Sequence, residues 1–145
     1  MHLHRKSAVQ LVTGGACALL VLAVSGCGKK PPPIAPVTGT VTFEGKPLPG
    51  RAMIHFASES GFASSNELQP DGTFLLGSEH GKGIPPGKYL VSIAPPIPSP
   101  LEVKAPVQPN YEYIPQRYRD FPTSGFTAEV VADGTNDFEF DMTTR

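Results

Sequence analysis

Residues 37–44 read VTGTVTFE, and their alternation decides the fold. Val37, Gly39, Val41 and Phe43 fall on one face, while Thr38, Thr40, Thr42 and Glu44 fall on the other. Successive side chains on a strand point to opposite sides, so a period of two predicts a half-buried β-strand. Downstream comes the turn sequence GKPLPG, and then RAMIHFA directs Ala52, Ile54 and Phe56 inward. Together the two runs predict a hairpin.

The same reading extends along the chain. FASSNEL is a weaker strand, PDG a turn, and TFLLG places Phe74 and Leu76 inward, which predicts a second hairpin. Past the glycine-rich SEHGKG, the segment IPPGKYLVSI turns into a strand with Tyr89, Val91 and Ile93 on one face. GFTAEVV aligns Phe126, Ala128 and Val130, DGTN turns, and DFEFDM aligns Phe138, Phe140 and Met142, a last hairpin. Seven short strands, each with a single apolar face, bury those faces by stacking two sheets. The expected fold class is therefore all-β, a β-sandwich over residues 37–145.

The totals agree with that reading. The 145 residues include 15 glycines and 17 prolines, which favours turns over long helices. Cys17 and Cys27 are the two cysteines, so no disulfide framework and no cysteine-based metal site can form after position 27. An apolar core must supply the stability.

Upstream of the strands lies a different kind of sequence. Arg5 and Lys6 form a basic stretch, LVTGGACALLVLAV an apolar one, and VSG a small-residue close before Cys27. That is the anatomy of an export signal over residues 1–26. A membrane-spanning helix is the competing reading. The apolar run from Leu11 to Gly26 carries the Gly14–Gly15 pair and falls short of the roughly 20 residues a span needs.

Val24, Ser25, Gly26 and Cys27 resemble the lipobox of bacterial lipoproteins, an aliphatic residue and two small ones before a cysteine. The resemblance implies lipidation of the Cys27 thiol by a diacylglyceryl group, cleavage before it, and acylation of the new amino terminus by a chain such as palmitate. Two or three chains hold a protein at a membrane where one does so marginally. Gly28 in place of aspartate favours the outer membrane, by analogy with lipoprotein sorting. Residues 27–36, CGKKPPPIAP, then read as an extended proline-rich tether. Cleavage removes Arg5 and Lys6 from 12 basic residues and none of the 13 acidic ones, so the mature chain is mildly acidic. No basic patch interleaved with aromatics is present, which leaves nucleic acid without a counterpart.

GKPLPG, DGTF and PPGKYLVSI together resemble the carboxypeptidase-regulatory-like, transthyretin-like domain of small bacterial lipoproteins, over about residues 37 to 142. IPQRYRDFPTSGFTAEVVADGTNDFEFDM resembles the end of that group, where Thr-Ser-Gly precedes the last hairpin. The resemblance implies a seven-stranded, prealbumin-like Greek-key sandwich in an envelope lipoprotein. It implies no activity, because folds do not carry function by themselves.

Few residues offer chemistry. Zinc carboxypeptidases use a His-x-x-Glu pair, which this chain lacks; His55 and Glu59 would stand about 13 Å apart on a strand, too far for one ion. His80 beside Glu79 sits in a glycine-rich loop. The chain ends DMTTR, without the Tyr-Arg-Gly-Ser signature of the hydroxyisourate hydrolases that share the transthyretin-like fold, and internal Tyr118-Arg119-Asp120 does not replace it. There is no Gly-x-Ser-x-Gly elbow and no phosphate loop. Asp137, Glu139 and Asp141 form an outward acidic stripe, with Asp133 in the turn before it, spaced about 7 Å apart and fit to protect a sheet edge. No catalytic residue, metal site or cofactor is expected.

One long segment stands out, residues 95–124. Connections of that length in a small domain are usually functional, disordered or concealing a strand, and LEVKAPV, with Leu101, Val103 and Ala105 alternating, is the candidate hidden strand. Tyr111, Tyr113 and Tyr118 interleave with Arg117 and Arg119. Two readings stand open: a recognition surface for an envelope protein or polysaccharide, since tyrosine and arginine are favoured at binding hot spots, or a cover over the open end of the core, with the arginines paired to Glu112 or Asp120. The expected protein is a non-enzymatic, lipid-anchored envelope module, with carbohydrate or protein binding through 95–124 as the alternative and metal-dependent hydrolysis behind both.

Overall fold

The computed structural model describes residues 33–103 and 110–144; the expected signal segment, Cys27 and most of the expected tether lie outside the described residues. Eight strand segments build two sheets. They are β1 (Thr38–Phe43), β2 (Lys46–Pro47), β3 (Met53–Ser58), β4 (Ala63–Glu67), β5 (Thr73–Leu75), β6 (Gly87–Ala94), β7 (Phe126–Val130) and β8 (Asp137–Met142). In the first sheet β8 runs parallel to β1 along its whole length, from Thr38↔Asp137 to Phe43↔Met142. That leaves the other edge of β1 to β5 and β2, both antiparallel. The second sheet is antiparallel throughout, in the order β4-β3-β6-β7.

The alternation read from the sequence is the one observed. Val37, Val41, Ala52, Ile54, Phe56, Leu76, Val91, Ile93 and Met142 have no or almost no exposed surface, with Phe74, Tyr89, Ala128, Val130 and Phe140 buried beside them. Phe56 of the second sheet is the centre of the packing. Its ring lies 5.8 Å from that of Tyr89 in its own layer, and 6.1, 6.4 and 6.2 Å from Phe74, Phe138 and Phe140 of the facing one. Burying each such side chain contributes roughly 1.5–3 kcal/mol, so this aromatic contact between the layers holds the two sheets together without a disulfide.

The pairing differs from the expected hairpins, and in all three cases in the same way. β1 and β3, β4 and β5, and β7 and β8 each lie in opposite sheets, so the turn between them crosses the core instead of closing a ladder. The true partner of β1 after its turn is the two-residue β2, across Glu44 and Gly45, both at positive φ as a two-residue hairpin of that type requires. Leu48 and Ala52 then bury themselves as the chain passes to the second sheet. At the β4–β5 corner, Gln69 N donates to Thr73 O and Gly72 N to Gln69 O, but only the tip pairs and Leu68 turns inward. At the β7–β8 corner the buried Asn136 side chain takes the place of a ladder: its amide donates to Val131 O and Pro36 O and accepts from Val131 N. Alternation marks which side chains point inward. It is identical for a strand that pairs with its predecessor and one that folds over it.

Two further boundaries move. Ala35, read as tether, is fully buried and exchanges both backbone hydrogen bonds with Ile84 at 2.9 and 3.0 Å, so the packed domain starts before Val37. The hidden strand at LEVKAPV is not formed where it is described. Residues Pro100–Val103 make one helical turn, α1, opened by a proline that suits a first helical position, and residues 104–109 lie outside the described residues.

Candidate binding surface

Past Asn110 the long segment becomes compact. A 3-10 turn (Gln116–Arg119) and a short helix, α2 (Phe121–Ser124), pack beside β6 in line with β7. Pro122 and the left-handed Gly125, φ 70°, bound α2. The Thr-Ser-Gly sequence has a local reason here. Ser124 Oγ, buried, donates to Val91 O at 2.5 Å and accepts from Phe126 N, which ties the helix end to the point where β7 starts.

Of the five residues singled out, one lies off the surface. Tyr118 is 3% exposed and belongs to the core, stacked on Phe126 at 4.9 Å. Its hydroxyl accepts from Thr143 N at 3.0 Å and from Arg117 Nη2, whose guanidinium carbon also lies 4.5 Å from the ring centroid. Burial pushes the Tyr118 phenol up, but the bonds from Thr143 and Arg117 outweigh it and the net direction is downward. Arg119 is a clamp: Nε donates to Ile114 O at 2.9 Å and Nη2 to Ile114 O and Tyr111 O at 2.8 and 2.9 Å. The arginines thus bind carbonyl and hydroxyl oxygens where pairing with Glu112 or Asp120 was one expectation.

Tyr111 and Tyr113 are half-buried, with ring centroids 6.1 Å apart. Tyr113 lies against Gly50, where an added Cβ would come within 2.6 Å of the phenol oxygen, and its hydroxyl donates to Arg51 O at 2.7 Å. Burial, then Tyr111, raises the Tyr113 pKa, with Arg51 opposing. The phenol therefore stays a proton donor.

Arg51 leads to a feature that sequence reasoning missed. An open cleft of about 560 Å³ lies between the β2–β3 and β4–β5 crossings, with Leu48, Leu68, Pro49 and Pro70 as its apolar part. Arg51, Glu67 and Gln69 supply polar groups. Arg51 Nε and Nη2 donate to Glu67 Oε1 and Oε2 at 2.5 and 3.2 Å, a two-point pair whose side chains remain 53% and 41% exposed. Reading β3 and β4 as the hairpin would have found it. Continuing their register by two residues sets Arg51 opposite Gln69 and diagonal to Glu67.

Other candidates resolve into structural roles. His55 faces out from β3, with Nδ1 2.6 Å from Ser65 Oγ on β4, in a hollow of about 420 Å³ that Ser92, Arg119 and Asp120 also line. Burial lowers its pKa, which keeps the imidazole neutral. His80 Nε2 lies 3.4 Å from Glu79 Oε1 in the exposed loop. The acidic stripe follows the parallel β1–β8 register: Thr38 Oγ1 donates to Asp137 at 3.1 Å, and Thr42 Oγ1 and Gly45 N donate to Asp141 at 2.6 and 2.8 Å. Those bonds, the one from Thr42 first, hold Asp141 below the usual carboxylate value. Among the described residues, no three histidines, cysteines or carboxylates come together as metal ligands would.

No protein-family model matches the chain, and neither a curated protein nor a solved structure does.

Proposed function

We propose that the chain is an exported envelope lipoprotein, cleaved before Cys27, acylated there, and carrying one non-enzymatic β-domain on a short proline-rich tether. The observation that carries this reading is the sequence Val24-Ser25-Gly26-Cys27 at the close of a basic-then-apolar leader. Its position supports it too. The packed domain starts at Ala35, a few residues after the cysteine, so a lipid on Cys27 would hold the domain close to the bilayer surface. We assign the domain to the transthyretin-like Greek-key sandwiches on GKPLPG, DGTF and PPGKYLVSI; seven strands of three or more residues in two layers fit that assignment. Gly28 favours the outer membrane.

A non-enzymatic role is supported by what the candidate groups do. Arg119 and Ser124 hold the segment 110–124 in place, Tyr118 fills the core, and Asp137 and Asp141 bond to threonines. Binding of a carbohydrate or protein is the second reading. It is favoured by one observation, the open cleft whose wall Tyr113 fixes through Arg51.

The anchoring reading is tested in cells fed radioactive palmitate. Wild-type chain takes up label and matures, whereas Cys27→Ala takes up none and accumulates at precursor size. Label retained by Cys27→Ala removes the proposal.

A further inference from the structure

The cleft between the two crossings has a chemistry that selects its ligand. Its volume of about 560 Å³ lies inside the range of roughly 300–1,000 Å³ typical of small-molecule sites. Its polar groups are planar and present donors beside acceptors: the Arg51 guanidinium against the Glu67 carboxylate, with the exposed Gln69 amide on the same wall. The pair is neutral as a unit, so it offers no net charge to attract an ion.

A neutral ligand rich in hydroxyls answers that arrangement. One hydroxyl can donate to Glu67 while accepting from Arg51, and its neighbour on the next carbon can do the same with the second point of the pair. An exposed ion pair is held weakly, so sharing its bonds with ligand hydroxyls costs little. The exposed Pro49 and Pro70 give apolar surface for the C–H face of a sugar ring, with the buried Leu48 and Leu68 behind them. A peptide is served less well. Extended peptides dock through main-chain hydrogen bonds, and here Pro49 and Pro70 have no N–H to offer while the Leu68 N–H is already bonded to Ala52 O.

The wall is also rigid. Tyr113 packs on Gly50 and bonds to Arg51 O, and the Arg119 clamp on Tyr111 O and Ile114 O holds the segment bearing Tyr113. We propose that the cleft lined by Pro49, Arg51, Glu67, Gln69 and Pro70 binds a neutral oligosaccharide, one face on the two prolines and its vicinal hydroxyls on the Arg51–Glu67 pair. This deepens the binding reading of the module and rests on it, independently of the lipid anchor.

Titration calorimetry on the full chain tests it, with cellohexaose, maltohexaose and chitohexaose as neutral probes, polygalacturonate as the anionic one and a proline-rich decapeptide as the peptide. At least one neutral hexasaccharide binds at one per chain. Glu67→Gln and Arg51→Met each weaken it about tenfold or more, as loss of a hydrogen bond to a charged group does, with unchanged melting temperature. Silence from all three neutral probes, binding of polygalacturonate or the peptide alone, or undiminished binding by Glu67→Gln each overturns the proposal. Palmitate labelling of the same preparations reads the anchor separately, so failure of one reading is not mistaken for failure of the other.

Discussion

Gly39 shows how far a single position constrains this chain. It lies in β1 on the inward face, and a Cβ there would stand 2.1 Å from Phe138 O and 2.6 Å from the Phe74 ring, closer than atoms approach. The parallel β1–β8 pairing and the aromatic contact between layers both depend on that missing methyl. Gly39→Ala is expected to destabilise the fold by about 1–3 kcal/mol or more, the cost of overpacking a core, read as a fall in the urea midpoint. His55 makes a prediction about pH. Burial holds its folded pKa below the ordinary 6.5, so the unfolded chain binds the proton first. Stability is full above that value and declines as pH falls through the lowered one. The melting temperature of wild type should drop between pH 7 and 5 by more than that of His55→Gln, and parallel curves for the two would refute the assignment. The alternation of VTGTVTFE announced Gly39 as inward; that it is inward because nothing larger fits was not legible, since the facing Phe138 carbonyl comes from a strand about a hundred residues away.

At the level of elements, the inward faces of the strands were legible and their partners were not. Turn residues such as Pro70-Asp71-Gly72 and Glu44-Gly45 fix local backbone geometry. Whether the chain then pairs or crosses depends on distant contacts: Leu68 and Leu48 turning into the core, and Asn136 bonding to Pro36 a hundred residues away. The long segment was legible as exceptional but not as structural. Its tyrosines and arginines match a recognition surface in composition, yet Tyr118 is buried, and Arg119 binds carbonyls that no spacing rule links to it. This gives an element-scale prediction. Tyr118→Ala removes a buried aromatic side chain and should cost about 3–5 kcal/mol, whereas Tyr111→Ala, at a half-buried position, should cost well under half as much, both measured by chemical denaturation. Equal small losses at the two positions would return Tyr118 to the surface.

For the whole molecule, the account joins two parts of different character. The sequence up to Cys27 resembles an export leader that closes on a lipobox, and a two-sheet domain begins at Ala35 with its aromatic residues gathered across the layers around Phe56. An open cleft lies where two crossings meet, a place that appears only once the strands are assigned to opposite sheets. The fold class could therefore be read from local pattern, while the cleft was missed because Arg51 and Glu67 become neighbours only through the β3–β4 register, which pairing β3 with β1 hides. The claim on which the function rests is the modification of Cys27, and intact-mass and peptide mass spectrometry of the chain isolated from membranes tests it most directly. The account predicts an amino-terminal peptide that begins at Cys27 and carries the mass of a diacylglyceryl group. A mature chain that retains residues 1–26, or one that begins at Cys27 with an unmodified thiol, would contradict it.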